Sequence, residues 1–378
     1  MKKQLVFVGG GHAHLSALVG LGDYMKGGRL VTLISPFGYH YYSGMGPGML
    51  SGIYEPWQIR FNVRKMVEDR GGSFIEGSVK RIDPRNRMLF LEDGSAVRYD
   101  IASFNTGSEV PLGGLGPQDG FVVPVKPVVN LYEARKSILD RNNGNPLEIV
   151  VAGGGPAGVE IAANVWRLLR DNGKPARVTL VAGGRVLPGA GEKARRLAVG
   201  SLAKKGIRVL EGARVESVEK GRANITGTGA IPFDYAFMAI GTKPTALFRD
   251  SGIPTGEDGG LSVNRYLQSV AYPELFGGGD CISLTGHNLA KVGVYAVRQA
   301  PILRHNLGVA LDGGEMQQFI PQESYMLILN MGDGRGILRK ENLVWDGRSS
   351  FLLKDFIDKR FMKKFQVSGE LSDRSNCS

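Results

Sequence analysis

Short apolar runs, each closed by glycine, recur along the chain and predict its architecture. Leu5 to Val8 runs into Gly9-Gly10-Gly11, and Ile149 to Ala152 runs into Gly153-Gly154-Gly155. A continuous apolar run of this length, bounded by turn residues, is typical of a strand buried on both faces of a parallel sheet. Because a helical pattern follows each glycine cluster, both stretches predict the strand, glycine turn and helix that open a Rossmann unit.

The similarity between these two stretches continues in the same order along the chain. Val31 to Ser35 resembles Val178 to Ala182, and Tyr99 to Ser108 resembles Phe233 to Thr242. Each copy also contains a glycine turn that predicts a β-hairpin before the last match. These turns are Asp93-Gly94 and Gly227-Thr228-Gly229. Matched features in one order indicate two copies of one unit.

The element order predicts an α/β fold with two Rossmann-like dinucleotide-binding domains and a small α+β domain at the C-terminus. The first unit resumes after the second, at Phe276 to Cys281 and a helix over 291–307, so the second domain is inserted in the first. The predicted domains are 1–112 with 255–318, then 113–254, then 319–378. In the last domain, strands at Tyr325 to Leu329 and Gly336 to Lys340 precede a helix over 351–365.

The glycine turns give the first indication of function. Gly153-x-Gly155-x-x-Gly158 is a complete dinucleotide-binding fingerprint, in which backbone N–H groups and the helix dipole face a pyrophosphate. In the first copy His14 stands where a third glycine would let the helix approach the strand. Two interpretations of His14 remain open, a hydrogen bond to the cofactor and a packing role.

Neither copy has the acidic residue that usually binds ribose hydroxyls at the end of the second strand. Ser35 stands there in the first copy and Ala182 in the second, where Arg185 follows two glycines. An arginine at a site that lacks the carboxylate favours binding of the 2′-phosphate of NADPH. If Arg185 is only a solvated cation of the loop, NADH is an equally open choice of nucleotide. Asp280 follows a late strand and precedes a helix, a position suited to binding the ribityl chain of a flavin dinucleotide.

Composition narrows the class of protein. The 378 residues include 47 Lys and Arg against 36 Asp and Glu, a net charge of +11, but no nucleic-acid motif. No apolar run approaches the ~20 residues of a membrane span, and the apolar core after Lys2-Lys3 is too short for a signal peptide. The cytoplasm is therefore the predicted location. Cys281 and Cys377 form neither a redox pair nor a metal-site spacing.

Several motifs together resemble those of the two-dinucleotide flavoproteins that include pyridine nucleotide-disulfide reductases and type II NADH dehydrogenases. They resemble most the flavoprotein module fused to some selenide, water dikinases. The motifs are GGGHAH at 9–14, YYSGMGPGMLSGIY at 41–54, GGGPAGVE at 153–160, AIGTKP at 239–244, GGGDC at 277–281, KVGVYAVRQAP at 291–301 and KDFIDKRFM at 354–362. The resemblance implies FAD in the first unit and NADH or NADPH in the second.

The resemblance also implies roles for particular residues. Those expected around FAD are Gly9, Gly11, His12, His14, Ser35, Val79, Gly107, Asp280 and Lys291. Those expected around NAD(P)H are Gly153, Gly155, Gly158, Glu160, Arg185 and Gly241. The expected catalytic residues are Glu160 near the nicotinamide, Pro47 along the isoalloxazine, and Tyr295 and Gln299 on the helix bordering the quinone site. The sequence itself leaves a second interpretation of Glu160 open, a carboxylate stabilised by the helix dipole.

The scarcity of cysteine separates the chain from two similar classes of enzyme. Disulfide reductases need a redox cysteine pair. Sulfide:quinone oxidoreductases, which the segment from Val31 to Pro36 resembles, use at least two cysteines to carry sulfur, and the cysteine count disfavours them. We therefore predict an FAD-dependent NAD(P)H oxidoreductase that passes electrons to a quinone or another small acceptor. The alternative is a flavin-binding partner protein of selenium or sulfur metabolism with little turnover.

The predicted C-terminal helix offers a surface for a partner. Between Phe351 and Phe365 it has five cations and two acids, with Leu353, Ile357 and Phe361 at four-residue spacing. A basic amphipathic helix suits peripheral attachment to the inner face of the cell membrane, where it would admit a lipid quinone. It equally suits packing of the apolar stripe on the body of the protein. A homodimer also remains open.

Overall fold

The structure, a computed structural model, describes residues 2–113, 115, 121–141, 145–219 and 221–372. Its α-helices are α1 (His12–Val19), α2 (Gly46–Leu50), α3 (Val63–Glu68), α4 (Val129–Asp140), α5 (Pro156–Asp171), α6 (Glu192–Lys204), α7 (Leu247–Asp250), α8 (Gly293–Asp312) and α9 (Arg348–Phe365). Its strands are β1 (Gln4–Val8), β2 (Leu30–Ser35), β3 (Tyr39–Tyr41), β4 (Arg60–Asn62), β5 (Ser73–Glu76), β6 (Val79–Asp83), β7 (Met88–Leu91), β8 (Ala96–Arg98), β9 (Ile101–Phe104), β10 (Val122–Pro124), β11 (Leu147–Ala152), β12 (Ala176–Ala182), β13 (Arg208–Glu211), β14 (Val215–Glu219), β15 (Arg222–Ile225), β16 (Gly229–Pro232), β17 (Tyr235–Met238), β18 (Leu261–Val263), β19 (Leu275–Gly277), β20 (Ile282–Leu284), β21 (Leu327–Asn330), β22 (Gly336–Lys340) and β23 (Leu343–Gly347).

The first parallel sheet has the strand order β5-β2-β1-β9-β19. The central strand β1 pairs Val8 with Ile34 of β2 and with Phe104 of β9. Residues 5–8 of β1 and 101–104 of β9 are buried, as their continuous apolar runs predict. The edge strand β19 comes from much later in the chain than its neighbour β9.

The second parallel sheet has the order β10-β17-β11-β12-β13. Its strands all lie in sequence between β9 and β19 of the first sheet. The chain thus leaves the first unit, completes the second and returns, which confirms the predicted α/β fold with one Rossmann-like unit inserted in the other. The domain boundaries at 112–113, 254–255 and 318–319 stay predictions.

Each unit also carries a three-stranded antiparallel sheet at the same place in its element order. These sheets are β6-β7-β8 in the first unit and β14-β15-β16 in the second. The Asp93-Gly94 turn lies between β7 and β8, and the turn that ends at Gly229 lies between β15 and β16. Both predicted hairpins are therefore present, and the internal repeat extends to these small sheets.

The C-terminal part is the antiparallel sheet β21-β22-β23, followed directly by α9. Helix α9 begins at Arg348, three residues before the predicted start, and buries Met362 and Phe365. Strand β23 was not predicted, because Leu343 and Trp345 face outward there and the usual burial of apolar positions is inverted. Among the described helices, none is long and apolar enough to cross a membrane.

Candidate active site

The carboxyl ends of the first parallel sheet open into a cavity of about 760 Å³, which is within the usual range for ligand sites. Ser35 ends β2 and Val79 begins β6 just after β5, on one side of the sheet, whereas Gly107 and Asp280 follow β9 and β19 on the other. The expected FAD residues on the cavity wall are Gly9, Gly11, His12, Ser35, Val79, Gly107 and Asp280. The cavity therefore crosses the sheet edge from β5 to β19.

Asn105, which the sequence analysis missed, joins the two glycine motifs of the first unit. Its Oδ1 accepts a hydrogen bond from the backbone N–H of Ala13 (2.9 Å), and its Nδ2 donates one to the carbonyl oxygen of Gly278 (2.5 Å). A Cβ at Gly9 would lie 2.4 Å from the Asn105 carbonyl oxygen, so close approach requires glycine there. The sequence contains one signal for the role of Asn105. It is a polar residue directly after a buried strand, at the position where the second copy has Ala239.

The side chain of His14 is buried between α1 and the sheet, away from the cavity wall. Its Nδ1–H donates to the carbonyl oxygen of Gly9 (2.6 Å), and its Nε2 accepts from the hydroxyl of Ser103 (2.9 Å). Burial lowers the pKa of His14 to about 4, so the ring is neutral, and the carbonyl partner fixes this tautomer. Both ring nitrogens are thus engaged within the protein rather than directed at a ligand.

His12, the first residue of α1, lines the cavity beside His40. His40 Nε2 and His12 Nδ1 are hydrogen-bonded at 3.0 Å, and the rings of Tyr42 and Phe361 lie against His12. Burial and the charge of Lys126 lower the pKa of His12 to about 4, and burial, His12 and Lys126 hold that of His40 well below its usual value. The pair is therefore uncharged. His12 Nε2 is buried with no partner in the described part of the chain, as expected of a group that meets a ligand.

Asp280 forms a compact polar cluster with two residues that the sequence analysis missed. Its Oδ2 lies 2.6 Å from Lys126 Nζ and 2.7 Å from Ser108 Oγ, and Lys126 Nζ also donates to Ser108 Oγ (2.9 Å). All three residues line the cavity. Lys126 lies in the segment between β10 and α4, where no motif marks it.

Three other expected residues line a second cavity, of about 550 Å³, on the far side of the late glycine motif. They are Lys291, Tyr295 and Gln299. Lys291 Nζ pairs with Asp258 (2.5 Å), and Gln299 Oε1 accepts a hydrogen bond from the backbone N–H of Gly279 (2.6 Å). The structure therefore places Lys291 off the wall of the larger cavity, and it makes Gln299 a support for the loop that carries Asp280.

The second fingerprint begins α5 at the carboxyl edge of the second sheet. Gly153 and Gly241 have φ angles of 126° and 97°, which favour glycine. A Cβ at Gly158 would lie 1.8 Å from the Gly153 carbonyl oxygen, whereas a Cβ at Gly155 would have no neighbour within 4 Å. Gly158 thus allows the helix to approach the strand, and Gly155 leaves space at the helix N-terminus, as a pyrophosphate requires.

Arg185 lies on the loop after β12, with its side chain 63% exposed and paired with Glu192 (2.8 Å). Glu192 begins α6 and also pairs with Arg195. A phosphate bound at this loop would therefore compete with a carboxylate for Arg185.

Glu160 lies in α5 where the C-terminal domain packs on it. Its Oε1 accepts a hydrogen bond from the backbone N–H of Asn330 (2.7 Å), and Lys354 and Asp358 of α9 form an ion pair (2.7 Å). Burial raises the pKa of Glu160 to about 7, against the opposing positive charge of Lys354, so the carboxyl group exchanges its proton near neutral pH. Pro47 lies in α2, buried against α4 and α5 rather than on the wall of the larger cavity.

Both sites fit the cofactors that the sequence implies. The first has a glycine turn at the start of α1, a cavity of about 760 Å³, and a buried polar atom that lacks a partner among the described residues, His12 Nε2. The second has the open cradle at Gly155. Two such sites on two Rossmann units, one inserted in the other, define a two-dinucleotide flavoprotein oxidoreductase.

Residues 3–300 match the pyridine nucleotide-disulphide oxidoreductase family, and the chain belongs to this family. It is 26% identical over 352 residues to ferroptosis suppressor protein 1 of Taeniopygia guttata, covering 88% of this chain and 87% of that protein. It is 24% identical over 236 residues to demethylphylloquinone reductase NdbB of Synechocystis sp., covering 60% and 58%. The structure of NDH2 from Plasmodium falciparum in complex with NADH matches 98% of both chains, with a TM-score of 0.80 and 15% identity. Family membership confirms the predicted FAD and pyridine nucleotide cofactors.

Among the residues that the structure describes, the disulfide in the family's name has no counterpart. Cys281 is a free, buried cysteine, and burial raises the pKa of its thiol, which makes it a poor nucleophile. Cys377 lies outside the described residues.

At two of the three glycines of the second fingerprint, the surroundings predict different effects of the same substitution. Gly158→Ala is expected to lower the free energy of unfolding by about 3 kcal/mol, because its methyl group meets backbone. Gly155→Ala is expected to leave that free energy unchanged and to weaken NAD(P)H binding about tenfold, roughly 1.4 kcal/mol, because its methyl group fills the cradle. Chemical denaturation and nucleotide titration measure the two effects. Equal effects of both variants on stability would contradict the assignment.

Proposed function

We propose that the protein is an FAD-dependent NAD(P)H oxidoreductase of the type II dehydrogenase kind that passes electrons to a quinone. The observation that carries the proposal is the pair of glycine turns on two parallel sheets, the first opening into the cavity between Ser35 and Asp280 and the second into the space at Gly155. NdbB, which the chain resembles, bears the name of a quinone reductase. A single buried thiol among the described residues supports electron transfer without sulfur carriers.

In this proposal each polar group of the two sites has a defined task. FAD, when bound, supplies the two-electron chemistry, and the protein supplies orientation and field. Gly9 and Gly11 let backbone N–H groups of the turn approach a pyrophosphate, while Ser35 binds ribose hydroxyls at one end of the cavity. Asp280 binds the polyol chain toward the other end. Gly155 serves the pyrophosphate of NAD(P)H in the same way as the first turn serves that of FAD.

The purified protein is expected to be yellow, and NADH or NADPH added without oxygen is expected to bleach its flavin bands. A short-chain quinone is then expected to restore them, which absorbance spectroscopy follows directly. Protein without flavin bands after reconstitution with FAD would overturn the proposal. Flavin that neither nucleotide bleaches would identify a flavin-binding partner protein instead. Arg185→Glu adds a test of nucleotide preference, because it is expected to weaken NADPH more than NADH if Arg185 binds the 2′-phosphate.

We further propose that Glu160 supplies a proton during quinone reduction. Quinone reduction consumes protons, and Glu160 is the described carboxyl group whose pKa burial brings to about 7. Its protonated form is lost as the pH rises through that value, so the supply of protons falls at alkaline pH. The positive charge of Lys354 opposes this rise in the pKa of Glu160 and so keeps the pKa near neutral pH.

The rate of flavin reoxidation by quinone is therefore expected to fall as the pH rises from 6 to 8, with an inflection near 7. Glu160→Gln is expected to remove the inflection and slow the step about 10²-fold, the usual size of a general acid contribution. Stopped-flow measurement at each pH separates this step from reduction by NAD(P)H. An inflection that survives in Glu160→Gln would contradict the role.

The C-terminal part carries an apolar face that we propose lies on an anionic membrane. The face consists of Leu343, Trp345, Leu352 and Phe356, which are 58–63% exposed. Lys359, Arg360, Lys363 and Lys364 follow it along α9. In the same helix Phe361 and Phe365 pack against Phe61, so the C-terminal end of α9 packs on the protein, whereas Leu352 and Phe356 stay exposed. Exposed aromatic residues beside a row of cations suit the interface of an anionic bilayer.

The full chain is expected to co-sediment with phosphatidylglycerol vesicles and much less with phosphatidylcholine vesicles. The double variant Trp345→Ser with Phe356→Ser is expected to lose this binding at least about tenfold, because it removes most of the apolar contact. Val270→Ser, a control at a residue 51% exposed elsewhere, is expected to retain it. Retained vesicle binding by the double variant would contradict the proposal, as would a dimer in size-exclusion chromatography that only this variant breaks.

A further inference from the structure

In both parallel sheets a glutamate stands beside the strand that lacks the usual ribose-binding acid. Ser35 ends β2 and pairs in register with Glu76, the last residue of β5. Ala182 ends β12 and pairs in the same way with Glu211, the last residue of β13. Glycine follows each glutamate in the sequence. The internal repeat therefore includes an acid at the end of the neighbouring strand, one strand away from the position where Rossmann units usually carry it.

The register places both glutamates on the ligand side of their sheets. Side chains of residues paired in register on parallel strands lie on the same face, and neighbouring strands are only about 4.8 Å apart. Ser35 and Glu76 both line the larger cavity. In the second sheet Ala182 faces the fingerprint turn, because a Cβ at Gly154 would lie 2.6 Å from the Ala182 Cβ. Glu211 therefore lies on the face of the sheet that meets this turn.

The carboxylate of Glu211 is fixed in place and still has acceptor positions for a ligand. Its Oε1 accepts from the backbone N–H of Val186 (2.6 Å), and its Oε2 accepts from Arg195 (2.6 Å). The hydrogen bond from Val186, together with that from Arg195, holds the pKa of Glu211 below its usual value, so the group is charged at neutral pH. An ionised carboxylate has about four acceptor positions, so each oxygen can accept another hydrogen bond. Val186 belongs to the loop after β12, beside which the adenosine ribose lies in Rossmann units.

Two cations near this loop are paired with carboxylates. Arg185 pairs with Glu192 (2.8 Å), and Arg195 pairs with both Glu192 (3.3 Å) and Glu211 (2.6 Å). A 2′-phosphate bound here would have to displace Glu192 from Arg185 and would lie near the charge of Glu211. A ribose 2′-hydroxyl, by contrast, donates to Glu211 without breaking any of these ion pairs. The cluster therefore favours a dinucleotide without the 2′-phosphate, since selectivity follows from repulsion of the wrong ligand as well as attraction of the right one.

We propose that Glu76 and Glu211 bind the adenosine ribose in place of the acid missing from the second strand of each unit, Glu76 for FAD and Glu211 for the pyridine nucleotide, and that Glu211 selects NADH over NADPH. The inference rests on the proposed function and names its nucleotide. In the first unit Ser35 donates its hydroxyl hydrogen to the carbonyl of Phe37 (3.0 Å), so it meets a ribose only as a neutral acceptor. Glu76, paired with Arg64, adds the charged acceptor there, and hydrogen bonds to charged acceptors are the stronger ones.

ADP-ribose and its 2′-deoxyadenosine analogue, titrated calorimetrically into the FAD-loaded protein, test the second unit without turnover. The wild type is expected to bind the 2′-deoxy ligand about tenfold more weakly, because a hydrogen bond to a charged group is lost. Glu211→Gln, which removes the charge at unchanged size, is expected to reduce this difference to less than about threefold. Glu192→Gln, which changes the other acid in contact with Arg195, is expected to keep it. A tenfold difference that survives in Glu211→Gln would overturn the role of Glu211.

The same titration with 2′-phospho-ADP-ribose, the corresponding part of NADPH, tests the selection between nucleotides. The wild type is expected to bind ADP-ribose at least about tenfold more tightly than the 2′-phosphate, and Glu211→Gln is expected to bring the two affinities within about threefold of each other. Wild-type protein that binds the 2′-phosphate equally or more tightly, through Arg185 or through Arg214 against Gly183 of the same loop, would overturn the selection of NADH.

Quenching of FAD fluorescence on binding to the apoprotein tests the first unit. Glu76→Gln is expected to raise the dissociation constant of FAD about tenfold, because a charged acceptor for the ribose is lost. Glu92→Gln, at another glutamate on the cavity wall, is expected to leave it unchanged. An unchanged affinity of Glu76→Gln for FAD would overturn the role of Glu76. Wild-type protein that binds no FAD would instead overturn the proposed function, so the two failures are distinguishable.

Discussion

The amide side chain of Asn105 is the interaction on which the first dinucleotide site depends. It accepts from the backbone at Ala13, in the helix after the first glycine turn, and donates to Gly278, in a loop from much later in the chain. Both hydrogen bonds are buried, so each would cost about 1–3 kcal/mol if its partner were left unsatisfied. The turn that faces a pyrophosphate and the loop that carries Asp280 are thereby fixed to one residue. The relative position of the two ends of the cavity follows from this contact.

The two copies of the Rossmann unit solve the same packing problem in different ways. In the second copy Gly158 lets helix and strand meet so closely that a methyl group would lie 1.8 Å from a carbonyl oxygen. In the first copy His14 fills the corresponding gap and hydrogen-bonds to the carbonyl of Gly9. In that copy Asn105 also binds the backbone N–H of Ala13, whereas the second copy has Ala239 in place of Asn105. The missing fingerprint glycine is therefore replaced by a side chain with a packing role, and the glycine turn beside it is kept.

Strands and glycine turns were predictable because they depend on local sequence. The apolar runs before Gly9 and Gly153, and the repeat that relates them, specify both parallel sheets and the insertion of one unit in the other. Contacts between side chains that are far apart in the sequence were harder to predict. Lys126 contacts Asp280 at a sequence separation of 154 residues, and no local pattern predicts such a contact. Lys291 and Gln299 are close in sequence to Asp280 of the cavity wall. Their polar groups nevertheless bind elsewhere, Lys291 to Asp258 and Gln299 to the backbone of Gly279.

The insertion has a consequence for biosynthesis. Chains fold domain by domain as they leave the ribosome, and the second sheet has its last strand, β17, by Met238. The first sheet receives its edge strand β19 only at Leu275, and Asn105 reaches Gly278 across 173 residues. The unit that is synthesised first is therefore completed last, with the edge of β9 left unpaired while the inserted unit folds. The larger cavity therefore has its full wall, with Asp280 beside Lys126, only after the inserted unit has been synthesised.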